Sequence, residues 1–105
     1  MKIVYKNKEL NIKECKSFYD RFMGFMGKRN IDHGLLFNRC SSSHTFFMKE
    51  KIDVIMLDKD NNIKYIYKSL GKNKIILPKR NVYKTIELPI NYFDFKIDEK
   101  LIIKD

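Results

Sequence analysis

This 105-residue sequence predicts an α+β fold: a mostly antiparallel β-sheet curled toward a small barrel, with one main α-helix packed on it. Three observations carry that expectation. Short segments rich in Ile, Val, Tyr and Phe recur between clusters of Asn, Asp and Gly, the pattern of strands joined by tight turns. A single segment, from Asn11 to Met26, changes to steps of three and four residues, the period of a helix. The stretch Ile52–Asp58 is apolar on both alternating faces, with Ile52, Val54 and Met56 on one and Asp53, Ile55 and Leu57 on the other, as a central strand covered on both sides requires.

Taken in order, KIVYK at residues 2–6 reads as a strand, with Asn7-Lys8 as the turn into a short second strand ending near Leu10. Asn11 with Glu14 forms a capping-box-like start to the helix, and Gly24 or Gly27 can end it in the left-handed conformation. Its stripe of Ile12, Cys15, Phe18, Tyr19, Phe22 and Met26 predicts a core-facing seam. A turn-rich connector from Gly27 to Gly34 leads to the apolar run Leu35, Leu36, Phe37. Asn38 to His44 is polar and small and reads as a surface loop. HTFFMK supplies a strand, Glu50-Lys51 interrupts it, and the central strand follows. The Asp and Asn residues of DKDNN, 58–62, mark a hairpin; they lack the central Gly and distal Glu of a calcium loop. IKYIYKS pairs back as the next strand, with its Tyr and Lys residues on opposite faces. Ile75 to Leu77, Val82 to Leu88 and Lys100 to Ile103 complete the strands, with breaks at Pro78 and Pro89.

The chain has the length of one domain, residues 1–105, and shows no repeat or linker. Its 22 basic residues against 13 acidic ones give a net charge of +9, which invites nucleic acid or an anionic surface. Eighteen of the 22 are Lys, however, and specific phosphate recognition favours the planar forks of Arg. A charge of this kind suits solubility. Cys15 and Cys40 lie in no zinc-like spacing and are expected as reduced thiols. There is no signal-peptide core or membrane-length apolar run, so a cytoplasmic monomer without membrane contact is expected.

The ordered segments GFMGKR, GLLF, HTFFMKEKIDVIMLD, IELP and DEKLII resemble the family known as domain of unknown function 192 (DUF192). The matching positions are Gly24 with Phe25 and Met26, Gly34 to Phe37, Phe47 with Met48 and Lys49, Asp53, and Glu87 with Leu88 and Pro89. Phe47 stands where that family usually has Trp, and Asp98-Glu99 replaces a terminal Gly-Asp. The resemblance implies a compact β-rich domain with a helix, and no established activity. Members of the family often carry a signal or membrane anchor, which this sequence does not display.

Two carboxylates, Asp53 and Glu87, are embedded in predicted strands, where an acid is costly unless paired. Asp53 would then fix a turn or bulge, or belong to a site. With the loop before it, it predicts a patch or cleft of His44, Phe47, Lys49, Asp53 and Glu87 that binds a small ligand or a protein partner without catalysis. A second reading is a nucleic-acid accessory protein using Lys72, Lys74, Lys79, Arg80 and Lys84. A third, a hydrolase, requires Asp53, Glu87 and a His in one pocket. His33, Cys40 and His44 are metal-ligand types whose spacing matches no finger, so neither a metal nor a cofactor is expected.

Overall fold

A computed structural model describes residues 1–105, apart from the side chain of Phe18. The elements are β1 (Lys2–Tyr5), β2 (Lys8–Glu14), α1 (Phe18–Met23), β3 (Gly34–Asn38), β4 (Ser43–His44), β5 (Ile52–Leu57), β6 (Ile63–Leu70), β7 (Ile75–Ile76), β8 (Lys84–Pro89) and β9 (Ile102–Lys104). Seven strands form one sheet in the order β6-β5-β8-β3-β2-β1-β9, and β4 pairs with β7 in a small second sheet. Every pairing is antiparallel except that of β2 with β3. The large sheet curls into a half-barrel. Its two ends approach where Asn62 bridges Lys100 and where the Ile63 amide donates to the Glu99 carbonyl at 2.8 Å. The fold is therefore mostly β, and its helix of 6 residues is smaller than the expected one.

The helix is where expectation and structure part. β2 continues to Glu14, so Asn11 caps nothing and Ile12 belongs to the sheet. Leu10 and Ile12 are buried while Glu9, Asn11 and Lys13 between them are exposed, a period of two that the three-and-four stripe concealed. A helix begun at Asn11 would also bury Ile12; what it forgoes is the pairing of this segment with β1 and β3, which buries Leu10 beside Ile12. The helix starts instead after Ser17, whose Oγ accepts from the Asp20 amide at 3.0 Å, and ends as expected at Gly24. Tyr19 and Phe22, predicted as core, are exposed; the Phe18 side chain of that stripe lies outside the described residues.

HTFFMK is the second correction. Only Ser43–His44 is strand, and the chain then turns, with Phe47 at φ 59°. Thr45 is fully buried, its Oγ1 donating to the Gly71 carbonyl at 2.6 Å and accepting from the Lys74 amide at 2.8 Å. Those bonds hold the backbone out of a regular ladder. The hairpin at Asp58 forms as read: Asp58 Oδ1 accepts from the Asp60 and Asn62 amides, both at 2.9 Å.

β5 lies between β6 and β8, and all six of its residues are buried. Ile55 and Leu57 pack with Ile3, Leu36, Ile86 and Leu88 inside the half-barrel. Ile52, Val54 and Met56 pack on the other face with Phe25, Leu35, Phe37, Met48 and Ile76. The two-sided apolar pattern thus serves two separate clusters, one per face. It is the second cluster that α1 and the β4–β7 pair cover, and there a cavity remains.

Candidate functional site

The cavity encloses about 500 Å³. Arg21, Phe22 and Gly24 bound it from α1 and its cap, Ser43 and His44 from β4, and Glu87 from β8. Strand alternation sets the acid's direction: Leu35 of β3 and Val54 of β5 lie opposite Glu87, so all three share the face of the second cluster. Glu87 is 5 % exposed. Its Oε2 accepts from Ser43 Oγ at 3.2 Å, while Oε1 is buried without a hydrogen-bond partner. Burial pushes the carboxyl up to about 7, opposed by the Ser43 hydroxyl and the Phe25 backbone amide.

Backbone conformation helps bring the acid to the cavity. Gly24 has φ 48°, and a Cβ there would lie 2.9 Å from Glu87 Oε1. Glycine therefore meets two demands at once, a helix end at φ 48° and ψ −128°, which residues with a Cβ scarcely adopt, and close approach to a carboxylate. On the rim, the His44 ring stacks on Phe46 with centroids 5.2 Å apart and lies 5.8 Å from Phe22. His44 Nδ1 accepts from the Phe46 amide at 3.3 Å, so a neutral ring carries its proton on Nε2. The Arg21 guanidinium is engaged by the Asn38 carbonyl at 2.7 Å and the Arg39 carbonyl at 3.4 Å.

Of the five residues predicted for a ligand site, the structure brings only His44 and Glu87 together. Phe47 is 75 % exposed and Lys49 is also exposed; neither lines the cavity. Asp53 pairs with Leu88 and so faces the interior of the half-barrel, opposite in direction to Glu87. Both its oxygens are taken, Oδ1 by the Ser69 amide at 2.7 Å and Oδ2 by the Asn91 amide at 3.0 Å and Lys68 Nζ at 2.8 Å. Ser69 and Asn91 have φ of 52° and 58°, so the carboxylate ties down a bulge in β6 and the turn after β8. Asp53, Glu87 and a histidine therefore do not meet, and the carboxylate arrangement required for the hydrolase reading does not form.

The residues that sequence reasoning missed are Phe46 and Leu77, which contribute apolar surface to the mouth. Gly24 and Ser43 were legible as a helix end and a polar loop residue, but no spacing linked them to Glu87. His33 contacts Asp32 and the ring of Phe25 and lines a different recess from Cys40 and His44. Among the described residues no three His, Cys, Asp or Glu side chains gather as a metal-holding group. Of the predicted nucleic-acid residues, Lys72, Lys74 and Arg80 are exposed. Lys79 Nζ lies 5.7 Å from the Tyr65 ring centroid, and Lys84 donates to Asn61 Oδ1. No described helix is long and apolar enough to cross a membrane.

The chain is 34% identical over 85 residues to UPF0127 protein TK1120 of Thermococcus kodakarensis, covering 75% of this chain and 54% of that protein. A UPF0127 protein of Thermococcus gammatolerans is 34% identical over 86 residues, with 76% and 56% covered. The chain thus spans little more than half the length of these relatives. Among solved structures, a Sinorhizobium meliloti 1021 protein described as a "putative transcription regulator" superimposes with a TM-score of 0.79 at 17% identity, covering 96% of this chain and 89% of that one. A protein of unknown function from Novosphingobium aromaticivorans gives a TM-score of 0.68 at 12% identity, covering 86% and 71%. At these identities the two structures share the fold. The family model DUF192, "Uncharacterized ACR, COG1430", matches residues 2–101, and the chain belongs to that family.

Proposed function

We propose that this protein is a non-catalytic binding module whose ligand site is the cavity between α1, β4 and β8. The observation that carries the reading is the unpartnered Oε1 of Glu87 at a mostly apolar cavity. A buried polar atom without a partner costs about 1–3 kcal/mol, and a ligand that supplies a donor recovers that cost. A concave, mostly apolar site with few polar groups is the usual form of a small-molecule pocket. The exposed Phe22, Phe46 and Leu77 at its mouth add apolar contact area.

Titrating the ¹⁵N-labelled protein with a panel of small aromatic and alicyclic fragments tests this. The expected result is saturable shifts at the amides of Gly24, Phe25, Ser43 and His44. If no fragment perturbs those amides, or shifts gather only at Phe47 and Lys49, the assignment is wrong.

A second reading, an accessory nucleic-acid protein, is favoured by one observation, the Lys79 ammonium over Tyr65, whose ring stacks beside Tyr67. Aromatic rings with cations on one surface suit single-stranded nucleic acid, and one structural neighbour is described as a "putative transcription regulator". Fluorescence-labelled oligonucleotide at low salt tests it: binding that weakens steeply with added salt supports it, and no binding ends it.

A further inference from the structure

Resting on the cavity reading above, we infer that the ligand is an organic cation, an ammonium group on an apolar body, with the ammonium seated against Glu87 Oε1. The two buried acids of this chain make the comparison. Asp53 has a cation of its own, Lys68 Nζ at 2.8 Å, together with two backbone amides. Glu87 is as deeply buried and, among the described residues, makes no ion pair. What acts on it is burial, one hydroxyl and one amide, with no positive side chain among the influences. Arg21 lines the same cavity but spends its guanidinium on two backbone carbonyls. Unpaired, Glu87 can hold its own proton; when it ionises, a cationic ligand can bring the counter-charge that the chain does not supply.

The walls select the same chemistry independently. Phe22, Phe25, Phe37, Phe46 and the His44 ring all border the cavity. Aromatic faces carry negative potential and attract cations within about 6 Å of their centroids. An anionic ligand would face those rings and the carboxylate, with only the Arg21 guanidinium, already engaged by two carbonyls, to meet it, whereas a neutral hydrocarbon would leave Oε1 unsatisfied. An ammonium N–H donated to Oε1 forms a charge-assisted bond in a partly dehydrated site, the stronger class of hydrogen bond. Glu87 would then bind in its ionised form.

Three probes of one shape decide it: benzylamine, benzyl alcohol and benzoate, each titrated at pH 8 and followed at the Ser43 and Gly24 amides. Benzylamine is expected to bind about tenfold or more tighter than benzyl alcohol, as a charge-assisted bond implies, and benzoate weakest. Its affinity should rise from pH 6 to pH 8 as Glu87 ionises. The other titratable groups at the cavity and beside it are His44, Arg21, Cys40 and Cys15, so Glu87→Gln is the control. In that variant the preference for the amine over the alcohol should disappear, while Asp53→Asn, which lies outside the cavity, should keep it. If alcohol binds as tightly as amine to the native protein, the cation assignment fails while the cavity reading stands. Tightest binding by benzoate also overturns the cation. If none of the three shifts these amides, both readings fall.

Discussion

Gly24 packs so closely on Glu87 that a single added carbon would sit 2.9 Å from one carboxylate oxygen and 3.4 Å from the other. Gly27, three residues on, also has a positive φ, 74°, but meets nothing within 4 Å. Gly27→Ala carries the left-handed backbone penalty alone, about 1 kcal/mol. Gly24→Ala adds the clash to a backbone, φ 48° and ψ −128°, that residues with a Cβ adopt less readily still, and should lose roughly 2–3 kcal/mol in urea unfolding. It should also push the Glu87 carboxyl toward the cavity and weaken fragment binding, which Gly27→Ala should not. Equal losses for the two variants would show that the helix end yields without disturbing Glu87.

Glu87 gives the protein a pH dependence of unusual sign for an acid. Its folded value of about 7 lies above its ordinary value of 4.5, so between those limits the folded state holds more protons than the unfolded state. The contribution from this group is fully present below about pH 4.5 and is lost as pH rises through about 7. The accumulated loss is on the order of 3 kcal/mol. Asp58 and Glu99, whose carboxyls are held low by hydrogen bonds, act in the opposite direction at acid pH. Subtracting the Glu87→Gln profile from that of the native protein isolates the contribution of Glu87. The difference should fall from pH 5 to pH 8; a flat difference would mean that water reaches the carboxyl.

Both acids stood out in the sequence, yet their grouping in one site did not survive, and the reason is register. Asp53 lies opposite Leu88, and Val54 lies opposite Glu87. An offset of one residue between paired strands sends the two side chains to opposite faces. β5 was legible because its two-sided apolar pattern survives any choice of partner. The Asp58 turn was legible because its hydrogen bonds are local. The start of α1 was hidden because Ile12 and Cys15 fit a helical stripe as well as a strand and its exit. The cavity was hidden for a different reason: Gly24, Ser43, Leu77 and Glu87 are joined by tertiary packing, which leaves no spacing to read.

Asp53 should behave as an anchor. Asp53→Asn replaces one acceptor with an amide donor, so either the Ser69 or the Asn91 amide loses its partner. A loss of about 2–3 kcal/mol is expected. Lys68 is 45% exposed, and solvent screens its charge, so Lys68→Met should cost only about 1 kcal/mol or less. Neither change should alter fragment shifts at Ser43, because Asp53 faces the half-barrel interior. A selective loss of fragment binding in Asp53→Asn would return this residue to the site.

The two thiols provide a reporter that needs no substitution. Cys15 is 3% exposed, and burial together with the nearby charge of Glu87 pushes its thiol up to about 11. Little thiolate forms there at pH 8, and reagent has little access to it. Cys40 is half-buried at the cavity wall, with Sγ 3.1 Å from the Ser42 carbonyl. Iodoacetamide at pH 8 should therefore alkylate Cys40 at least about tenfold faster than Cys15, as read by mass spectrometry of tryptic peptides. Because Cys40 shares the cavity with Glu87, saturating benzylamine should slow its labelling more than that of Cys15. Protection of both thiols to the same degree would point to global stabilisation, since a ligand occupying this cavity shields one sulfur directly and the other only through folding.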